Sequence, residues 1–538
     1  MKRFLFIAHR WLGISLGVFM LLWFFSGLVM VYSGSTAVTQ QDRLAHAQPI
    51  AVSDVNALLS LGEAWRLSEH QRGEMKFSNT MQSHDHDKHN VSSIKPNQLN
   101  SKIIEARLTV LNNIPVWQIE DDAGRHYALS ALNGDIQNIS TDSALQTSKT
   151  WIGKEATPQV IKIVEKDLGT RMMMFDPYRP FIKVAIGDSA GTELDISSKT
   201  GEVTVVTTQL QRILAYSGEW LHYFRFLDSF GLSDYRKPIL TWTSFTACFA
   251  VLVGLIVGWL RWRPGWFGAR TYNKGQAQPY RESWSKWHFW LGLTGGMITL
   301  TWIVSGFLVN NPWEVFTKAK FSQQQLLQFQ GGALSSEILA LRPEKLLPGN
   351  MQTVELLMRS IGEQSYMRVY ATTGTSLAIG RNGQDAKEKT LLEAAQRLLP
   401  KAKVKDYALI ANYDDFYYPN HRKSETERPL PVLRVNFNDS ANHRVYIDPT
   451  EGRVLLKIDN SRRVYRWLFF ALHNWDLGTL YSRPLWDVWM VLWSLIGLTL
   501  SITSLYIGWR RMKVSIKNSW LKSIFKNGNF NLFRAKND

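Results

Sequence analysis

Four of the twelve histidines occupy matched positions in a chain that repeats itself. His9 and His288 open apolar runs in the segments HRWLG and HFWLG, at an offset of 279. His222 and His473 stand in the aromatic segments EWLHYF and FALHNW, at an offset of 251. Titratable side chains within apolar spans are rare, and they are treated as functional candidates. Neutral imidazole is a good ligand for iron, and an apolar, aromatic-lined bundle suits the haem macrocycle. Zinc would want four ligands, and the single cysteine, Cys248, lies inside an apolar run with no clustered carboxylate near it. One cysteine excludes an intrachain disulfide, a cysteine zinc site and a cysteine-held iron–sulfur cluster. The pattern predicts two bis-histidine haems, His9 with His288 and His222 with His473. Six-coordinate iron has no open position, which favours electron transfer over oxygen chemistry. The competing account is an interfacial histidine with its polar tip in the headgroups. It suits one isolated histidine better than four at repeat-equivalent positions.

These histidines need helices to carry them, and the apolar residues supply four. The runs Phe4–Tyr32, Pro238–Trp262, Trp284–Val309 and Pro484–Trp509 each reach the ~20 residues that cross ~30 Å of hydrocarbon. The apolar core of the first run is longer than the usual ~7–15 residues of a signal peptide, so it is read as a retained helix. The net charge of +17 gathers beside the spans: at Lys2, Arg3 and Arg10, in the stretch 261–286, and in the tail after Trp509. Basic flanks of this kind place the termini and the 261–286 loop in the cytoplasm. A nucleic-acid surface would instead need basic residues on one folded face, and no nucleic-acid partner is expected. The partition is then 1–32 for the first span, 33–237 for a first soluble segment and 238–262 for the second span. A cytoplasmic loop at 263–283 leads to the third span, 284–309. A second soluble segment at 310–483, the fourth span at 484–509 and a basic tail at 510–538 complete it. At 1.5 Å per residue, His9 and His288 share the cytoplasmic layer, and His222 and His473 lie ~30 Å away in the far layer.

The first and third spans align without gaps, matching Trp11, Leu12, Gly13, Gly17, Trp23, Ser26 and Gly27 with Trp290, Leu291, Gly292, Gly296, Trp302, Ser305 and Gly306. Arg212 and Leu221 match Arg463 and Leu472, and Pro238 and Pro484 are expected to open the next spans. Both copies cross in one direction, which predicts a pseudo-two-fold axis along the membrane normal. In the soluble segments, 117–136, 184–203 and 435–454 share a strand–turn–strand pattern closed by a Gly turn. PQVIKIVEKDLG and TLLEAAQRLLPK read as short amphipathic helices.

The turns Asp195–Val203 and Asp448–Val454 resemble those of the PepSY domain. Modules of this kind flanked by H-x-W-L-G spans, here His9–Gly13 and His288–Gly292, are similar to the PepSY-associated transmembrane family. The resemblance implies a membrane α-helical bundle of four transmembrane helices with two α+β periplasmic PepSY-like domains, related by a pseudo-two-fold internal repeat. It further implies a bacterial inner-membrane, multi-pass ferric-siderophore reductase with haem b, two per chain. The electron donor would be a quinol or a cytoplasmic reductase, since no G-x-G-x-x-G fingerprint for flavin or nicotinamide follows a strand. The acceptor would be a ferric siderophore or other ferric chelate, the other partner the lipid bilayer itself. No proton-transfer dyad is found, so no catalytic residue is named.

Arg236 and Arg483, ahead of the two prolines, are candidates for haem propionates or for snorkelling at the membrane surface. His84, His86 and His89 form the segment HDHDKH with Asp85 and Asp87, which suits a transition metal or a solvated loop. Two other readings compete with the oxidoreductase. One is a non-enzymatic PepSY protein that binds a partner, with the spans as anchors. The other is a transporter, which would need a polar mid-bilayer site beyond Ser26, Ser305, Thr246 and Ser501.

Overall fold

The computed structural model describes residues 2–50, 58–73, 101–152, 157–349, 351–379, 386–420, 423–480 and 483–527. His84, His86 and His89 lie outside the described residues. The chain divides into two compact units, one of residues 1–33, 214–316 and 464–538, the other of 34–213 and 317–463.

The first unit holds four helices long and apolar enough to cross a membrane: α1 (Lys2–Met30), α2 (Ser233–Arg261), α3 (Ser283–Val309) and α4 (Leu485–Asn527). Helix α1 packs on α2 and α4, and α3 packs on the same two, so α1 and α3 form a diagonal pair. The seams use small residues, as helix contacts in lipid do. A Cβ at Gly17 would meet Leu505 at 2.8 Å, one at Gly295 would meet Ile496 at 2.7 Å, and one at Gly296 would meet Leu255 at 2.6 Å. Helix α2 starts at Ser233, five residues before the expected boundary, and carries Pro238 inside its second turn. Proline removes one helical donor there, close to the helix start, where the loss is smallest.

The second unit is built on three antiparallel sheets. Strands β1 (Ile103–Leu111), β2 (Ile114–Asp121) and β3 (His126–Ser130) come from the first soluble segment, as do β4 (Gln159–Val164), β5 (Phe181–Ala185), β6 (Glu193–Ser197) and β7 (Val203–Thr207). The second segment supplies β8 (Glu355–Ile361), β9 (Gln364–Tyr370), β10 (Ser376–Ile379), β11 (Lys403–Ile410), β12 (Val432–Asn438), β13 (Arg444–Ile447) and β14 (Val454–Ile458). Two sheets, β4-β5-β6-β7 and β11-β12-β13-β14, share one sequential four-stranded order. The third, β10-β9-β8-β1-β2-β3, joins the segments: β1 pairs with β8 through Glu105↔Arg359, Ala106↔Met358, Arg107↔Leu357 and Leu108↔Leu356. The two segments therefore share one unit.

Residues 159–164 form the edge strand β4 and no helix, a correction to the amphipathic-helix expectation. Val160, Ile161, Ile163 and Val164 are β-branched, and such side chains favour the pleated state over the helix. TLLEAAQRLLPK does form a helix, Glu388–Leu398, which buries Leu391, Ala394, Ala395 and Leu398 against the β12–β13 face. The β1–β8 seam is laced by ion pairs. Arg359 bonds Glu105 across it, and Arg107 lies 2.8 Å from Glu202 and 3.5 Å from Glu355. Burial pushes the Glu105 carboxyl up, but Arg359 and its cationic neighbours outweigh that and hold it at about 2. Burial and the nearby Glu105 push Glu120 the other way, up to about 7.

Candidate functional site

Two segments of unusual backbone carry the histidines that no span contains. Tyr216–Trp220 and Arg466–Ala471 are π-helical, a rare form that recurs at functional sites. Each is followed by a short helical stretch bearing the histidine, His222 or His473. Each then stops at a non-glycine residue in the left-handed region, Phe224 at φ 52° and Trp475 at φ 51°. The first π segment packs on α1 and the second on α3. The sequence carried no signal for the π turns. They act by rotating the residues that follow, and so aim each imidazole at its partner helix.

On α1 and α3 the receiving residues are Ser26 and Ser305, both fully buried. Ser26 Oγ donates to Leu22 O and Ser305 Oγ donates to Thr301 O. Each hydroxyl has then spent its proton, so it accepts from the imidazole Nδ1–H 3.0 Å away, that of His222 or His473. Trp302 O lies 3.2 Å from the same atom of His473. In the other layer, Thr503 Oγ1 donates to Leu500 O and stands 3.1 Å from His288 Nδ1, while His9 Nδ1 donates to Ala250 O at 3.4 Å. All four rings thus place Nδ1–H on a protein acceptor, which leaves Nε2 as the nitrogen bearing the lone pair. Hydrogen bonds of this kind fix the tautomer of ligating histidines.

The rings meet in the expected pairs. His9 and His288 have centroids 6.2 Å apart, and His222 and His473 have centroids 6.3 Å apart. Two imidazoles in direct hydrogen-bond contact, at N···N ~2.8 Å, would have centroids ~5 Å apart. Two imidazoles facing each other across one metal, at ~2.0 Å per bond and ~1.1 Å from nitrogen to centroid, would have them ~6.2 Å apart. Both pairs match the second figure. The interplanar angles are 40° and 77°.

A cavity of 310 Å³ surrounds the first pair and is walled by Gly13, Gly17, Gly254, Gly258, Gly292 and Gly296, with Leu16, Leu293 and Phe289 beside them. These glycines bring the helices close, with Leu505 filling the space beside Gly17 and Leu255 that beside Gly296, and the cavity lies between them. At Gly254 a Cβ would meet His9 Cε1 at 2.6 Å. In the other layer Phe469 stacks on His473 at 5.2 Å. The first layer therefore has a cavity beside its imidazole pair, and the second an imidazole pair beside Phe469. Among the described residues, no three His, Cys, Asp or Glu side chains converge on a metal position, so each layer offers an imidazole pair. Ser26 and Ser305 lie seventeen residues along their helices from His9 and His288, which is ~25 Å of rise. The layers are thus closer than the ~30 Å expected, because the π segments lay their histidines back onto the spans.

Arg236 and Arg483, weighed between propionates and snorkelling at the membrane surface, bond protein groups. Arg236 Nε donates to Asp228 Oδ1 at 2.9 Å. Arg483 donates to Val31 O at 3.0 Å and lies 3.4 Å from Asp487. Arg10, Arg261 and Arg511, which sequence reasoning assigned only to the basic flanks, line the cavity around His9 and His288. The mid-span hydroxyls Thr246 and Ser501 bond the carbonyls of Trp242 and Gly497 in their own helices.

The comparison with curated proteins finds no match. A family does match: residues 6–373 correspond to the PepSY-associated TM region, ending before β11–β14 and the fourth span. With four apolar helices and sheets of the kind the turns implied, this membrane protein belongs to the PepSY-associated transmembrane family.

Proposed function

We propose that this protein is a di-haem oxidoreductase of the bacterial inner membrane, reducing a ferric chelate of the siderophore class on the periplasmic side. The observation that carries the reading is the pair of imidazole separations, 6.2 and 6.3 Å, each with Nδ1 held by a protein acceptor. His9 with His288 and His222 with His473 would each hold one haem b. Bound there, haem supplies one-electron transfer. Ser26, Ser305, Thr503 and the Ala250 carbonyl keep the four imidazoles in the ligating tautomer. The cavity beside His9 and His288 would receive the macrocycle between apolar span residues, with Arg10, Arg261 and Arg511 among its lining.

The basic termini and the 261–286 loop support a cytoplasmic placement of His9 and His288, with the three-sheet unit on the opposite, periplasmic side. The matched histidines and serines support two copies related by a pseudo-two-fold axis along the membrane normal. One electron per ferric ion would come from a quinol or a cytoplasmic reductase, and iron would leave as Fe(II), which hard-oxygen chelators hold weakly. The test is a dithionite-reduced minus oxidised spectrum of the purified protein, with a haem-to-protein ratio, followed by anaerobic addition of a ferric chelate. Two b-type haems per chain and reoxidation by the chelate are expected. Colourless protein, or reduced protein that no ferric chelate reoxidises, refutes the reading and leaves a membrane-anchored binding protein as the better account.

A further inference from the structure

The two repeated sheets place equivalent residues at equivalent strand positions. In the first, Lys183 pairs across strands with Asp195, and Ala185 with Glu193. In the second, Arg434 pairs with Tyr446, and Asn436 with Arg444. The offset is 251 throughout, the same that relates Arg212 to Arg463. One face of each sheet can therefore be compared residue by residue.

In the first copy that face is closed by carboxylates. Lys183 Nζ lies 2.7 Å from Asp195, 3.0 Å from Asp167 and 3.7 Å from Glu193, and Arg212 lies 3.1 Å from Glu193. Two cations meet three anions. In the second copy Glu193 is replaced by Arg444 and Asp195 by Tyr446, so the face loses two carboxylates and gains a guanidinium. Arg434 and Arg444 share a single carboxylate, Asp414, at 3.4 and 3.7 Å. Asp414 also accepts from Tyr446 Oη and from two backbone N–H groups, of Phe416 and Tyr417. The guanidinium groups of Arg444 and Arg463 both stand near the Phe416 ring, 5.7 and 5.9 Å from its centroid, so two like charges converge on one aromatic ring. Asp439, bonded to His443 at 2.7 Å, and Asp459, bonded to Thr317 at 2.8 Å, act on Arg463 through space, and Arg463 donates to Asn442 O at 2.7 Å. Arg434 Nε is buried and has no acceptor among the described residues. The arginines remain reachable, with 28 % of the Arg434 side chain and 24 % of the Arg444 side chain exposed.

We infer that the Arg434–Arg444–Arg463 face beside Phe416 is a binding site for an anionic ferric chelate, held through its carboxylate or phenolate oxygens. Guanidinium groups bind such oxygens through charge-assisted, often forked hydrogen bonds, and the aromatic ring offers a planar surface for the ligand. The inference deepens the reductase reading, on which it rests for the identity of the ligand, and selects chelates of net negative charge over neutral or cationic ones.

The test uses gallium(III) chelates, which match ferric ones in charge but take no electron, bound to the full-length protein in detergent micelles. Gallium citrate and a gallium tricatecholate are expected to bind, more weakly as salt rises, and a cationic gallium trihydroxamate is expected not to. Arg444→Gln and Arg463→Gln should each weaken binding at least ten-fold, Arg444→Lys should recover part of it, and Glu193→Gln in the first copy should leave it unchanged. Equal binding of the cationic chelate, equal binding of iron- and gallium-free citrate, or unchanged affinity in a folded Arg444→Gln protein overturns the assignment. The gallium readout needs no electron transfer. Haem-free protein that still binds gallium citrate would sink the oxidoreductase reading alone. Chelate reduction that persists in Arg444→Gln with unaltered gallium binding would sink this site alone.

Discussion

Gly254→Ala is the sharpest perturbation of the His9–His288 pair. The added methyl would stand 2.6 Å from His9 Cε1 and 3.0 Å from Nδ1, against the ~3.5–4.0 Å of ordinary contact. The ring must therefore move by ~1 Å. It is anchored by a bond to Ala250 O that is already 3.4 Å long, so it will turn away and leave its partner. Overpacking of this size costs ~1–3 kcal/mol, which is roughly a 5- to 150-fold loss of ligand affinity. Alanine is a better helix former than glycine by ~1 kcal/mol, so α2 itself will not suffer. The control is Gly27→Ala, where the methyl lies 3.8 Å from His222 Cε1 and simply makes contact. The assay is haem per protein, with the reduced-minus-oxidised band, after purification in parallel. Gly254→Ala is expected to fall towards one haem per chain, and Gly27→Ala to keep two. Two haems with unchanged midpoint potentials in Gly254→Ala would refute the placement of a haem between His9 and His288.

His222→Ala and His473→Ala should each lose one haem and leave the His9–His288 band intact, with the converse for His9→Ala and His288→Ala; loss of both bands from every variant would show that the layers are not independent. Ser26→Ala and Ser305→Ala remove the acceptors that fix the tautomers, and ~10–100-fold weaker haem retention is expected in each, read by transfer of haem to an apo-globin acceptor. In the three-sheet unit, Glu105 is held at about 2 and so adds stability above its unfolded value of ~4.3, stability that is lost as pH falls from there through 2. Glu120, raised to about 7, does the opposite and costs stability as pH rises from ~4.3 through 7. Glu105→Gln should therefore flatten the acid limb of the thermal midpoint, and Glu120→Gln should raise the midpoint above pH 7. Arg359→Met should destabilise the unit by ~3–5 kcal/mol by leaving Glu105 buried without its cation, measured as a drop in thermal midpoint at pH 7.

The spans and the histidine pairing were legible because both leave local marks: long apolar runs, and a gapless repeat that puts Ser26, Gly27 and their counterparts in step with His9 and His288. The role of the serines was not legible, since a serine in a span most often bonds its own helix, and only the arrival of His222 and His473 converts that hydroxyl into an acceptor. The π turns that deliver those histidines leave no compositional trace. Strand β4 was misread because six residues with lysine in the middle fit a helical stripe as well as an alternation, and β-branching decides between them. The pairing of β1 with β8 had no local signal at all. Neither segment carries a mark that names its partner, which lies some 250 residues away.

That pairing bears on how the protein is made. When residues 103–130 leave the ribosome, β1 has β2 on one side and an open row of N–H and C=O groups on the other. Its partner cannot be synthesised until two further spans have been built. An uncovered strand edge is a template for wrong pairing, and the wait is long on the scale of chain elongation. Nascent chains stalled before residue 355 should accordingly be the species that aggregates or recruits a chaperone. A gene split between the two halves should yield stable protein only when both are translated together.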